Sequence, residues 1–154
     1  MSSDFMRARL SQDFEQALRP IMERRVFPKG ATLYQHGTMA EGIYLLEAGA
    51  VRVLLPVPDN QSQLLEVAGE GAILGLSEAL SGGSYRVTAE ADEATTASFI
   101  ARKDFVELLD GHHEFCMQVV RLLSESLHGL YHRFRSVSAH PGRPRRRVLD
   151  EKLN

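Results

Sequence analysis

Apolar residues Phe5, Leu10, Phe14, Ala17, Leu18 and Ile21 recur at mostly three- and four-residue steps among charges. That spacing predicts short amphipathic helices over residues 4–25, with a break at Pro20. Beyond Phe27 the texture changes. Short β-rich runs occur at Thr32 to Tyr34, Ile43 to Leu46, Val51 to Leu55, Leu64 to Val67, Val87 to Ala91 and Thr95 to Ile100, punctuated by Gly30, Gly37, Gly42, Gly49, Gly69, Gly71 and Gly75. This pattern predicts a β-roll, barrel or sandwich over 27–101. Val87, Ala89 and Ala91 alternate with Thr88, Glu90 and Asp92, as a strand with one buried face requires. Pro56, Pro58, Asp59 and Asn60 mark a hairpin tip.

Helical periodicity returns at 103–109 and dominates 112–137. Cys116, Val120, Leu123, Leu127, Leu130, Phe134 and Val137 are spaced 4, 3, 4, 3, 4, 3, an unbroken heptad seam. Phe115, Val119 and Leu122 form a second apolar stripe beside it. The first half of the helix can therefore bury one face on the β-region and offer the other to a partner helix. Such a helix overhangs so small a domain, which favours self-association over packing within the chain and makes a homodimer the expected partner. Residues 138–154 carry no core pattern, so the domain is placed at 1–137 and a basic, flexible tail at 138–154.

With 154 residues the chain has the length of one domain. Eighteen basic against twenty acidic residues give a net charge of −2, without the positive excess of a nucleic-acid binder. The only basic concentration is Arg143, Arg145, Arg146 and Arg147, which suits a phosphate, an acidic protein partner or plain solubility. The single cysteine, Cys116, rules out a disulfide framework and a four-cysteine zinc site. No apolar run reaches the ~20 residues of a membrane span and the first residues lack a signal-peptide core, so the expected setting is the cytoplasm, away from membranes. His128 and His132 stand at i, i+4 without a third ligand, and the β-region holds one histidine, His36, so neither a metal centre nor a cupin-type enzyme is expected. No nucleophile elbow, phosphate loop or paired catalytic carboxylate stands out.

The segment FPKGATLYQHGTMAEGIYLLEAGAVRV from Phe27, with GEGAILGLSEALSGGSYRVTAEA from Gly69 and FIARKDFVELL from Phe99, resembles the cyclic nucleotide-binding domain of Crp/Fnr-type regulators. The resemblance runs from about Asp13 to Val137. It implies a mainly β fold with flanking helices, a jelly-roll-like double-stranded β-helix followed by a long dimerisation helix. It also implies a non-enzymatic regulatory role in signal transduction or transcription, with a cyclic nucleotide or another small anion as candidate ligand. The phosphate-binding cassette maps onto Gly75, Leu76, Ser77, Glu78, Tyr85, Arg86, Val87 and Thr88, and the ligand-facing positions of the long helix onto Leu130 and Tyr131.

Two cassette positions depart from the family's cyclic AMP binders. Leu76 stands where those proteins have the ribose glutamate, and Val87 where they have the hydroxyl after the clamping arginine, matched here by Arg86. Each lost charge-assisted hydrogen bond is worth roughly 1.5–3 kcal/mol, so cyclic AMP becomes a poor ligand. Glu78, two residues past Leu76, points to nearly the opposite side of a short helix and replaces the glutamate only if the cassette shifts register. Arg86 is exposed, paired with a carboxylate such as Glu78 or Glu90, or waiting for an anion. Family regulators place a helix-turn-helix after the long helix, and residues 138–154 are too few for one, so direct DNA binding by this chain is not expected. The alternative reading is a dimerisation or protein-interaction scaffold that no longer binds ligand.

Overall fold

The computed structural model describes residues 6–138, with side chains to residue 125. Ser11 caps the first helix, α1 (Gln12–Leu18), its side chain accepting from the Phe14 backbone N–H at 3.2 Å, with Asp13 and Glu15 complementing the dipole in the first turn. Pro20 ends the helical run in a 3-10 turn, Arg19–Ile21.

Helix therefore stops short of the expected residue 25. Met22–Phe27 is instead a strand, β1, paired antiparallel with β8 (Thr95–Ala101) from Met22↔Ile100 to Phe27↔Thr95. Its sequence, MERRVF, lacks apolar alternation because both faces are partly wet, and pairing with β8 decides the conformation where local pattern does not. The remaining strands are β2 (Thr32–Tyr34), β3 (Gly42–Ala48), β4 (Val51–Val57), β5 (Gln61–Ala68), β6 (Ile73–Leu74) and β7 (Thr88–Ala91). Among the described residues they form two four-stranded antiparallel sheets, ordered β1-β8-β3-β6 and β2-β7-β4-β5. The two-residue β6 is too short to show a period and was not visible in the pattern. The β4–β5 hairpin turns where expected, with Asp59 and Asn60 both left-handed at φ 69° and 58°.

The first sheet separates two cores. On its inner face Tyr44, Leu46, Ala97 and Phe99 join Leu33, Tyr34, Val53 and Tyr85 inside the roll. On its outer face Ile43, Leu45, Ile73 and Ile100 meet the helices. These are α1, α2 (Leu76–Ser81), α3 (Arg102–Asp110) and α4 (His113–Ser138). Phe14 lies at the centre of the helical layer, stacked on Phe115 at 4.5 Å between ring centroids and on Phe105 at 6.4 Å. Burying each such side chain contributes about 1.5–3 kcal/mol.

The α4 stripe Phe115, Val119 and Leu122 is buried against this layer, as the spacing predicts. Of the neighbouring seam, Cys116 and Leu123 are half-buried and Val120 is 48% exposed. The backbone of α4 continues through Leu127, Leu130, Tyr131, Phe134 and Val137, whose side chains lie outside the described residues, as does the expected tail beyond Ser138.

Candidate ligand site in the roll

The cassette begins where β6 ends. Gly75 is left-handed at φ 82°, and a Cβ there would lie 3.1 Å from both the Gly42 carbonyl oxygen and Tyr85 Cε1, so the turn into α2 needs glycine for its backbone and for its space. Gly82, at φ 76°, closes the six-residue α2, its N–H donating to the Glu78 carbonyl. The Arg102 guanidinium lies beside that end, Nε donating to the Ala79 carbonyl at 2.6 Å. A cation at a helix C-terminus complements the carbonyls left there, and it ties the cassette to the first turn of α3.

Within the cassette the structure divides the expected site residues between two sides. Leu76 is 2% exposed and belongs to the helical layer with Phe14, Ile43 and Phe105, so the position matched to the ribose glutamate points away from the roll interior. Glu78 points the other way, as the two-residue offset requires. Its carboxylate accepts from the Arg86 backbone N–H at 3.4 Å, and its charge acts on the Tyr34 hydroxyl. Ser77 is exposed.

Arg86 is exposed. Glu90 faces Arg52 across the sheet at 4.0 Å, and Glu78 takes the arginine's backbone rather than its guanidinium. The residue before it goes inward. Tyr85 is buried, its hydroxyl donating to the Gly42 carbonyl at 2.7 Å and accepting from the Gly42 N–H at 3.2 Å. Val87 packs partly into the roll core, and Thr88 Oγ1 accepts from the His36 N–H at 3.1 Å.

Above the cassette the roll interior is filled with aromatic rings. Tyr85 stacks on Tyr34 at 4.0 Å, Tyr34 on Tyr44 at 5.8 Å, and Tyr44 packs against Phe99 at 5.0 Å and Phe27 at 6.1 Å. Arg25 closes the far end, Cζ 3.8 Å from the Phe99 centroid and Nη1 donating to the Tyr44 hydroxyl at 3.1 Å, which in turn donates to the Leu33 carbonyl at 3.1 Å. Burial pushes all three phenols above their ordinary value, Tyr34 furthest, by desolvation first and then by the nearby charge of Glu78. The interior is thus aromatic and bordered by carboxylate, with Arg86 outside it.

Tyr34 and Arg102 were not singled out by the sequence pattern. An aromatic residue in a strand and an arginine at a helix start are common, and only the fold brings them to the cassette. Among the described residues no group of three or more His, Cys, Asp and Glu side chains could hold a metal, and no helix is long and apolar enough to cross a membrane. Cys116 donates through Sγ to the Leu109 carbonyl at 3.1 Å, and His112 stacks on Phe115 with Nδ1 2.9 Å from the Leu108 carbonyl oxygen. His128 and His132 lie outside the described side chains.

This arrangement, a glycine-punctuated roll with a cassette between β6 and β7 and a long helix packed beneath, defines a cyclic nucleotide-binding domain. The chain belongs to that family, whose model, the cyclic nucleotide-binding domain, matches residues 24–112, more than half of the sequence. It is a family of regulatory ligand-binding domains rather than of enzymes.

Among its relatives is the cyclic AMP receptor protein of Thermus thermophilus, 28% identical over 87 residues, which are 56% of this chain and 40% of that protein. The chain thus spans well under half the length of this curated relative. The solved structure of the Thermus thermophilus catabolite activator protein superposes with a TM-score of 0.74 at 24% identity, covering 84% of this chain and 61% of the other. A cyclic nucleotide-binding domain from Methylobacillus flagellatus superposes with a TM-score of 0.71 at 20% identity, covering 87% and 76%. These superpositions establish the same mainly β roll with flanking helices.

Proposed function

We propose that the chain is a ligand-sensing regulatory domain of the Crp/Fnr type in which cyclic AMP binding is altered or lost, and that it acts as a cytoplasmic homodimer in signal transduction or transcription regulation. The observation that carries this reading is the division of the cassette. Leu76 is committed to the helical core, Tyr85 is buried in the roll and Arg86 is exposed, so the cassette offers a cyclic phosphate and ribose neither a glutamate at position 76 nor a buried guanidinium at Arg86. Losing two charge-assisted contacts of roughly 1.5–3 kcal/mol each weakens such a ligand by a factor of about a hundred or more.

The dimer rests on α4. Its Phe115, Val119 and Leu122 face is spent on the domain, while Val120 stands exposed on the heptad seam that continues to Leu127, Leu130, Phe134 and Val137. A second copy of the helix covers that seam. Light scattering at micromolar concentration is expected to give a dimer, and Leu127→Glu a monomer, because a charge in a coiled-coil core has no partner. A monomeric wild type, or a dimer indifferent to Leu127→Glu, contradicts this part of the reading.

A second reading, a dimeric interaction scaffold without a ligand, is favoured by the filled roll interior. A thermal-shift panel of cyclic mononucleotides, cyclic dinucleotides and simple anions separates the two. A true ligand at 100 times its dissociation constant adds about 2.7 kcal/mol of stability, whereas the scaffold shows no shift with any of them.

A further inference from the structure

Six hydrogen bonds hold the segment after α2. Gly37 N–H donates to the Tyr85 carbonyl at 2.8 Å, Tyr85 N–H to the Thr38 carbonyl at 2.8 Å, and Ala40 N–H to the Gly83 carbonyl at 3.0 Å. The Tyr85 hydroxyl adds its two bonds to the Gly42 backbone, and Glu78 accepts from the Arg86 N–H. The Tyr85 ring is also engaged. Its Cε1 approaches within 3.1 Å of where a Gly75 Cβ would stand, and its ring is stacked on Tyr34 at 4.0 Å. One side chain therefore touches the entry of the cassette at Gly75, the start of β3 at Gly42 and the aromatic column of the roll.

We infer that Tyr85 is an internal latch: it occupies the roll interior next to the cassette and pins the cassette to β3, so that the closed arrangement forms without a ligand, and any molecule entering the roll must first displace this ring. The inference rests on the proposed sensing role and names the residue that governs admission to the same site. Here the chain supplies the occupant itself. The phenol suits the task because the ring fills apolar space while the hydroxyl meets one backbone donor and one backbone acceptor of Gly42, leaving neither Gly42 group short of a partner. Tyr34 backs the ring from the other side, so the latch cannot swing inward without disturbing the column.

The consequence can be read by amide hydrogen exchange of the full chain without ligand, which resolves local opening of the cassette from global unfolding. The wild-type cassette, residues 76–83, is expected to be protected to a degree comparable with β3 and β8. Tyr85→Phe keeps the ring and removes only the hydroxyl. It should speed exchange across 76–83 at least tenfold while the β3–β8 ladder is unchanged. Tyr85→Ala empties the space, and p-cresol, the missing side chain as a free molecule, should restore protection to the cassette. That rescue shows that occupancy of the roll sets cassette order, which a merely structural tyrosine would not show.

An unprotected cassette in the ligand-free wild type, or Tyr85→Phe exchange equal to wild type across 76–83, overturns the latch, as does acceleration spread evenly over the whole roll. If Tyr85→Ala does not fold, Tyr85→Phe still decides. The outcome is separable from the sensing role, which the ligand panel and the oligomeric state test independently of cassette exchange.

Discussion

Leu76 decides more than any other residue, because its direction determines whether the cassette can be repaired by restoring a family side chain. At 2% exposed among Phe14, Ile43 and Phe105, it is a core residue. Leu76→Ala should lower stability by about 2–5 kcal/mol in urea titration, the loss expected for a cavity in a packed layer. Leu76→Glu should be at least as damaging, since it places a carboxylate with no partner among apolar side chains, and it should gain no affinity for cyclic AMP. A stable Leu76→Glu variant that binds cyclic AMP would mean that the residue faces the roll.

At this scale the sequence was informative about residue type and silent about direction. That Leu76 replaces a glutamate was legible, and so was the opposition of Leu76 and Glu78, which comes from helical geometry. Which of the two faces the roll was not, because it depends on the sheet and helices packed on either side. Arg86 and Tyr85 give the same lesson: a matched position in the chain identified Arg86, but the turn after α2 sends Tyr85 inward and its neighbour to solvent.

Between elements, short polar ties matter as much as the cores. The 3-10 segment Arg7–Arg9 is fixed to the first sheet through Arg7, which donates to Glu15 at 2.7 and 2.9 Å and to Glu47 at 2.7 Å, while the Ser98 hydroxyl on β8 donates to the same Glu47 oxygen at 2.6 Å. Ser11 and Gln118 exchange two hydrogen bonds, and Arg9 pairs with Glu125, joining the same segment to α4. Burial alone would raise the Glu47 carboxyl, but the Ser98 hydroxyl and the Arg7 guanidinium outweigh it and hold the group below its usual 4.5.

A carboxyl lowered in the folded state stabilises the fold above its unfolded value, and that contribution is lost as the pH falls through the lower folded value. Stability measured by urea titration should therefore drop on acidification from 4.5 downward, and less steeply in Glu47→Gln. Identical pH slopes for the two proteins would show that Glu47 contributes nothing to the tie. The side chain is 36% exposed, so solvent screening makes this effect modest.

Most elements were legible. Where apolar alternation or a heptad was strong, as in Thr88–Ala91 or the stripe Phe115, Val119 and Leu122, the expected element is present with the expected buried side. Where it was weak, tertiary pairing decided: MERRVF became an edge strand against β8, and Ile73–Leu74 pairs with β3 over two residues only.

At the scale of the whole molecule, the first sheet acts as a wall between an aromatic roll and a layer of helices, and the cassette crosses it. Leu76 and Ala79 face the helices, Glu78 and Tyr85 face the roll, and Arg102 joins the end of α2 to α3. α2 and α3 lie in the helical layer with α4, whose seam is exposed at Val120, and the proposed dimer rests on that seam. The near-neutral total charge has the same division, with a slightly acidic domain and an arginine-rich end.

The proposed loss of ordinary cyclic AMP binding rests on a cassette position, Leu76, that is built into the core and on a roll filled by its own tyrosines. Titration calorimetry of the full chain with cyclic AMP tests it most directly. No heat of binding is expected at micromolar ligand; a saturable isotherm with a micromolar dissociation constant would contradict the claim.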